Sequence, residues 1–201
     1  MENLVRVQRF EGSFRREIGV HPKHVLVGAV GRLVPIKGCA YLLKACADLL
    51  KSMPSTRLAF VGDGELREEL KAEAALHGIE NQVIFTGFRQ DMENVYSDLN
   101  LLVIPSLNEG LPTVLIEALC AGVPVVATRV GAIPDLVDEN SGIIVEPKDT
   151  KALSSAIRQM LQDPFRSLTN DVRKKNYERF SSKRFIKDME KFYMDISSNN
   201  S

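Results

Sequence analysis

Two glutamates, Glu109 and Glu117, bracket the segment of this chain with the most chemical potential, Glu109-Gly110-Leu111-Pro112-Thr113-Val114-Leu115-Ile116-Glu117. A glycine turn meets a helix start here. Pro112 fits the first helical turn, because the N–H that proline lacks has no intrahelical acceptor there. The free amides from Gly110 to Val114, with the helix dipole behind them, make a site for an anion such as a phosphate. Thr113 and Glu117 are four apart and share a face, Glu117 lying about 6 Å further along the axis. The rest of the helix is apolar. Glu117 is then either a buried carboxylate whose partners are ligand hydroxyls, such as a ribose diol, or part of a solvated stripe. Glu109, in the turn, can accept from hydroxyls of a bound sugar or stand as a surface acid favoured by the dipole. A nucleotide-sugar carries both a phosphate and such hydroxyls, a few ångströms apart.

A second group lies at Gly31-Arg32-Leu33-Val34-Pro35-Ile36-Lys37-Gly38. Arg32 and Lys37 flank a proline turn before a helix. A guanidinium fork plus an ammonium suits a diphosphate, although two such cations alone also fit an ordinary surface. Gly62, in Gly62-Asp63-Gly64, allows close backbone approach after a strand. Phe88, in Gly87-Phe88-Arg89, either frames a flat base or belongs to the core. Gly131 to Asp135 is read as structural. Gly28-Ala29-Val30-Gly31 lacks the dinucleotide fingerprint spacing, and no Gly-Lys-Ser/Thr of a P-loop occurs. His21, His24 and His77 are scattered, so neither a metal site nor a Ser-His-Asp arrangement is expected.

The elements that position these residues alternate. Apolar runs at His24–Val30, Arg57–Val61, Gln82–Thr86, Leu99–Ile104, Pro124–Ala127 and Gly142–Val145 read as strands. Helical periodicity separates them: around Leu42 to Met53, Glu65 to Leu76, Asp91 to Tyr96, the Glu117 helix, Ile133 to Val137, and Thr150 to Leu161. Near-continuous apolar strands between helices predict an α/β, Rossmann-like three-layer sandwich: a parallel sheet of about six strands with helices on both faces. Ligands of such sheets sit at the carboxyl ends of the strands, near a switch in strand order. Residues 1–22 read as a lead-in, 23–163 as the nucleotide-sugar-binding domain, and 164–201 as C-terminal helices with a disordered tail. Phe185, Ile186, Met189, Phe192, Tyr193 and Ile196 share one face of the basic terminal helix.

Bulk composition narrows the classes. The chain has 201 residues, 44% hydrophobic, with Lys+Arg and Asp+Glu both 26. That balance argues against nucleic acid as a partner. Cys39, Cys46 and Cys120 read as reduced thiols of a cytoplasmic protein. No apolar run has transmembrane length, and the N-terminus has no signal-peptide core.

Taken in order, the segments closely resemble the C-terminal, donor-binding half of retaining glycosyltransferases of the GT-B fold, in particular glycosyltransferase family four (glycosyl transferases group 1). The resemblance rests on Gly31-Arg32-Leu33 with Lys37-Gly38, Val61-Gly62-Asp63-Gly64 with Leu66, Phe85-Thr86-Gly87, and Pro105-Ser106 with Glu109-Gly110. It continues through Glu117-Ala118, Ala121-Gly122-Val123-Pro124-Val125-Val126-Ala127-Thr128, and Gly142 with Asp149. It covers roughly residues 3 to 163. Asp135 stands where the family more often has Glu, and Ala132 where Gly is common; neither touches the main motif.

The resemblance implies transfer of a sugar from a nucleoside diphosphate, UDP, GDP or ADP, with retention at the anomeric carbon, as in polysaccharide biosynthesis. It implies that Arg32 and Lys37 bind the diphosphate, Glu109 the donor sugar and Glu117 the ribose. The amides of Leu111 to Thr113 cap the phosphate, and the loop at Phe88 lies near the base. No metal or other cofactor is expected. The family's acceptor-binding half is expected to be missing and this fragment inactive alone. The terminal helix suggests a homodimer or, through Lys183, Arg184 and Lys187, a peripheral contact with the inner membrane face. A nucleotide-sugar epimerase of the same architecture and a silent nucleotide-binding module are the alternatives.

Overall fold

A computed structural model describes residues 13–162 and 168–180. Six strands, β1 (Val25–Val30), β2 (Thr56–Val61), β3 (Val83–Gly87), β4 (Leu101–Ile104), β5 (Val125–Thr128) and β6 (Gly142–Val145), form one sheet. The helices among the described residues are α1 (Ser13–Glu17), α2 (Cys39–Ser52), α3 (Arg67–Leu76), α4 (Met92–Asp98), α5 (Thr113–Ala121), α6 (Ile133–Leu136), α7 (Thr150–Met160) and α8 (Asn170–Phe180).

The sheet order is β3-β2-β1-β4-β5-β6, and every strand pairing is parallel. Successive strand side chains point to opposite faces, so apolar residues on both parities demand cover on both sides. On one face Val25, Val27, Leu58, Phe60, Leu101 and Val103 pack beneath α2, α3 and α7. On the other, Leu26, Ala59, Val61, Leu102 and Ile104 pack beneath α1, α4, α5 and α6, with Val172 and Phe180 of α8 set against them. The three-layer α/β sandwich expected from the sequence is the fold. Cys39 and Cys46 are buried on α2, and burial raises both thiols, Cys39 to about 11 and Cys46 to about 12. They therefore stay protonated and act as small apolar groups.

The segment 1–22, read as a lead-in, is joined to the domain at its described end. Phe14 is 1% exposed in the core, and Arg15 is buried with it. Arg15 donates from its backbone N–H to Asp98 and from its guanidinium to the carbonyls of Asp98 and His24 and to the side chain of Asn100. A buried guanidinium is tolerable only with its donors satisfied in this way. The order reverses between β1 and β4, which sets the C-terminal ends of those two strands as the expected binding edge. No helix among the described residues is long and apolar enough to cross a membrane. The terminal-helix residues Phe185 to Ile196 and the basic group Lys183, Arg184 and Lys187 lie outside the described residues.

Candidate functional site

The loops after β1 and β4 are stitched together. The turn Pro35–Lys37 presents the Ile36 carbonyl to the Leu107 amide at 2.8 Å. Gly38 starts α2 with φ 69°, where a Cβ would overlap the Pro105 carbonyl oxygen. Only glycine accommodates both that φ and that approach. Across this junction Lys37 Nζ meets Glu109 Oε1 at 2.7 Å, the two side chains being 29% and 9% exposed. Ser106 Oγ donates to the same oxygen at 2.7 Å. Ser106 is itself buried, and its carbonyl accepts from the buried Thr128 hydroxyl at 2.6 Å. Glu109 is therefore not a surface loop acid. Its Oε1 is held by two donors, while Oε2 accepts from no described residue.

Two cavities meet at Val30, Gly31 and Arg32. The smaller, about 20 Å³, is lined by Lys37, Cys39, Ser106 and Glu109 as well and has room for about one water. The larger, about 300 Å³, runs from Arg32 past Gly62, Asp63 and Phe88 to Val114 and Glu117, a size typical of the smaller ligand pockets. Gly62 has φ 144° and a Cβ there would overlap the Gly31 carbonyl oxygen, so the two glycine backbones form a close-packed floor. Arg32 is exposed and makes no ion pair with a described residue. Phe88 is 76% exposed at the rim and so is not a core residue.

Glu117 lies on α5, half-buried, and accepts from the Tyr96 hydroxyl through Oε2 at 2.8 Å. Burial, and then the neighbouring Glu117 charge, pushes the Tyr96 phenol up, which keeps it a proton donor. At the opposite end of α4, Arg89 is bound to Asp91 and to Glu17 of α1 and stacks over the Phe14 ring, its centre 5.2 Å away. These bonds hold the Asp91 carboxyl at about 2, below its ordinary value.

Arg32, Gly31, Gly62, Phe88 and Glu117 thus share one cavity, and Lys37 and Glu109 share the adjoining one. Gly110, Leu111, Pro112 and Thr113 line neither but stand at the start of α5 beside them. Two details differ from the sequence reading. Pro112 is the capping residue, with ψ 100°, and the helix begins one residue later at Thr113. The residue sharing the cavity with Glu117 is Val114, because the cavity lies on the i−3 side of Glu117; Thr113 is exposed. The amides of Gly110, Leu111, Thr113 and Val114 donate to no described residue, as an anion-binding helix start requires. The Ala132 segment, expected to stand clear of the motif, meets it: the Ala132 amide donates to the Gly110 carbonyl at 3.2 Å.

Sequence reasoning missed Tyr96, Ser106 and Thr128 as site-supporting residues. Tyr96 sits at an apolar position of a short helix, and a lone strand-end hydroxyl carries no spacing signal. Ser106 had one available clue, its place three residues before Glu109 in the same turn.

The family model described as Glycosyl transferases group 1 matches residues 11–179. An uncharacterized glycosyltransferase of Methanocaldococcus jannaschii is 32% identical over 90% of this chain and 47% of its own length. The D-inositol 3-phosphate glycosyltransferase of Corynebacterium jeikeium is 33% identical over 90% of this chain and 46% of its own. The chain therefore spans about half the length of these curated relatives. Anabaena HepE, solved in complex with UDP, superposes with a TM-score of 0.81 at 25% identity, over 92% of this chain and 52% of that one. Names of this kind do not favour the epimerase alternative.

Proposed function

From the premise that the chain belongs to the glycosyl transferases group 1 family, we propose that it is the donor-binding part of a retaining glycosyltransferase that uses a nucleoside-diphosphate sugar. One observation carries this reading: a cleft at the strand-order switch holds a guanidinium, Arg32, and a carboxylate, Glu117, in one cavity, and neither forms an ion pair among the described residues. That polarity matches a nucleotide, with diphosphate at the cation and ribose diol at the carboxylate. The exposed Phe88 ring at the rim offers a face for the base. The HepE complex with UDP and its complex with UDP and glucose support a nucleotide-sugar as the ligand class.

The chemistry follows from where charge grows. As the bond between anomeric carbon and leaving oxygen breaks, negative charge gathers on the diphosphate. Arg32, Lys37 and the free amides at the start of α5 are fixed donors for that charge, and fixed donors cost no reorganisation during reaction. Lys37 is already anchored to Glu109 at 2.7 Å, so one ammonium can bridge the sugar-side carboxylate and the phosphate. Glu109 offers Oε2 to a donor-sugar hydroxyl. On this reading the cationic work is done by protein groups, and no divalent metal is required.

The curated relatives are about twice this length, and on this reading the acceptor side of the cleft belongs to such additional length, so the test is made on a protein that includes it. Incubation with UDP-, GDP- and ADP-linked hexoses, followed by proton NMR of the sugar first transferred to water, reads the stereochemistry directly. The anomer of the donor is expected. Release of the opposite anomer would overturn retention, and a sugar epimerised at a ring carbon would overturn transfer.

A further inference from the structure

Glu117 occupies an unusual position for a carboxylate. It lies half-buried on a helix whose other residues are nearly all apolar, and it pairs with no cation among the described residues. A charge placed so is tolerable when hydrogen bonds replace lost water. Its one described partner is the Tyr96 hydroxyl, 21 residues earlier in the chain, at 2.8 Å from Oε2. Tyr96 is 3% exposed within the core of that face. A buried phenol needs a partner as much as the carboxylate does, and each satisfies the other. Tyr96 points inward because α4 packs it with Val95 against α5 and the sheet. One oxygen of Glu117 is thereby fixed from inside the core. The other, Oε1, accepts from no described residue and belongs to a side chain that lines the larger cavity.

We propose that Tyr96 is a positioning residue for ribose recognition: its hydroxyl fixes the Glu117 carboxylate so that Oε1 meets the ribose diol of the bound nucleotide. The inference rests on the reading of Glu117 as the ribose-binding carboxylate. Tyr96 touches no ligand itself. Without its hydroxyl the carboxylate loses its rotational anchor, and ordering it falls to the ligand, which weakens the diol contact alone. Contacts to phosphate and base lie elsewhere in the cleft and are untouched.

The test separates anchoring from a merely structural role. The 201-residue chain is titrated calorimetrically with UDP, GDP and ADP to find the nucleotide that binds. That nucleotide and its 2′,3′-dideoxy form are then compared on wild type, Tyr96→Phe and Glu117→Ala. Wild type is expected to prefer the ribonucleotide by about tenfold or more, from hydrogen bonds to a charged group. Glu117→Ala should abolish the preference. Tyr96→Phe should cut it by about three- to tenfold while the dideoxy affinity stays unchanged, which also reports an intact pocket. A full preference in Tyr96→Phe, with the preference lost in Glu117→Ala, overturns the role of Tyr96 and leaves that of Glu117 standing. Equal weakening of both nucleotides by Tyr96→Phe also overturns it, as a general structural defect. A wild type with no preference, or one that binds none of the three nucleotides, overturns both assignments.

Discussion

At the scale of single residues, the candidate site is a set of charged groups held in place by one another and by buried hydroxyls. Lys37 and Ser106 hold one oxygen of Glu109, Thr128 holds Ser106, and Tyr96 holds one oxygen of Glu117. Arg89 extends the pattern to the rim, joining α1 to the loop that carries Phe88. This clamp has a pH signature. The Asp91 carboxyl is held at about 2 against an ordinary 3.8, chiefly by hydrogen bonds from Arg89. A depressed folded-state value means that the contribution is complete above the ordinary value and is lost as pH falls through about 2. Asp91 is 37% exposed, so solvent limits the contribution to about 0.5–1 kcal/mol. Urea midpoints of wild type and Asp91→Asn should differ by a constant amount above about pH 5 and converge between pH 4 and 2. A gap that widens on acidification would contradict the clamp.

At the scale of elements, close backbone contacts at the strand ends set the geometry. Gly38 joins the turn after β1 to α2 and lies against Pro105 at the end of β4. Gly38→Ala must strain φ and push the two loops apart, and should cost about 2–4 kcal/mol of unfolding free energy in urea denaturation. A change under about 0.5 kcal/mol would show that the loops are not locked.

The same scale explains what was legible in sequence. The strands are nearly continuous apolar runs between turn residues, and the Gly142–Val145 strand lies where its pattern ends. The Leu99 run starts two residues late, at Leu101, because the Asn100 side chain is taken by the Leu26 amide and Arg15. The α1 turn was invisible because five residues are too few to show a helical period; Phe14 folds it by burial. Glu109 and Glu117 were legible through turn chemistry and an apolar helix interrupted by one acid. Tyr96 was not, because its role depends on a partner brought near only by the packing of α4 on α5.

At the scale of the whole molecule, the two cavities lie at the β1/β4 reversal of the sheet. Arg32, Lys37, Glu109 and Glu117 gather there, on one edge of a parallel sheet. The curated relatives are about twice as long. If the donor-binding reading holds, these 201 residues on their own transfer no sugar in a radiolabelled-donor assay. Sustained turnover by them alone would contradict that reading.

The central claim is that Arg32 and Glu117 mark the two ends of a nucleotide. The direct measurement is a calorimetric titration with UDP, GDP and ADP in EDTA, on wild type, Arg32→Ala and Glu117→Ala. The account predicts that one nucleotide binds in preference to the others without metal, and that each substitution weakens it by about tenfold or more. Binding undiminished in both variants, or no binding of any of the three nucleotides, would contradict it.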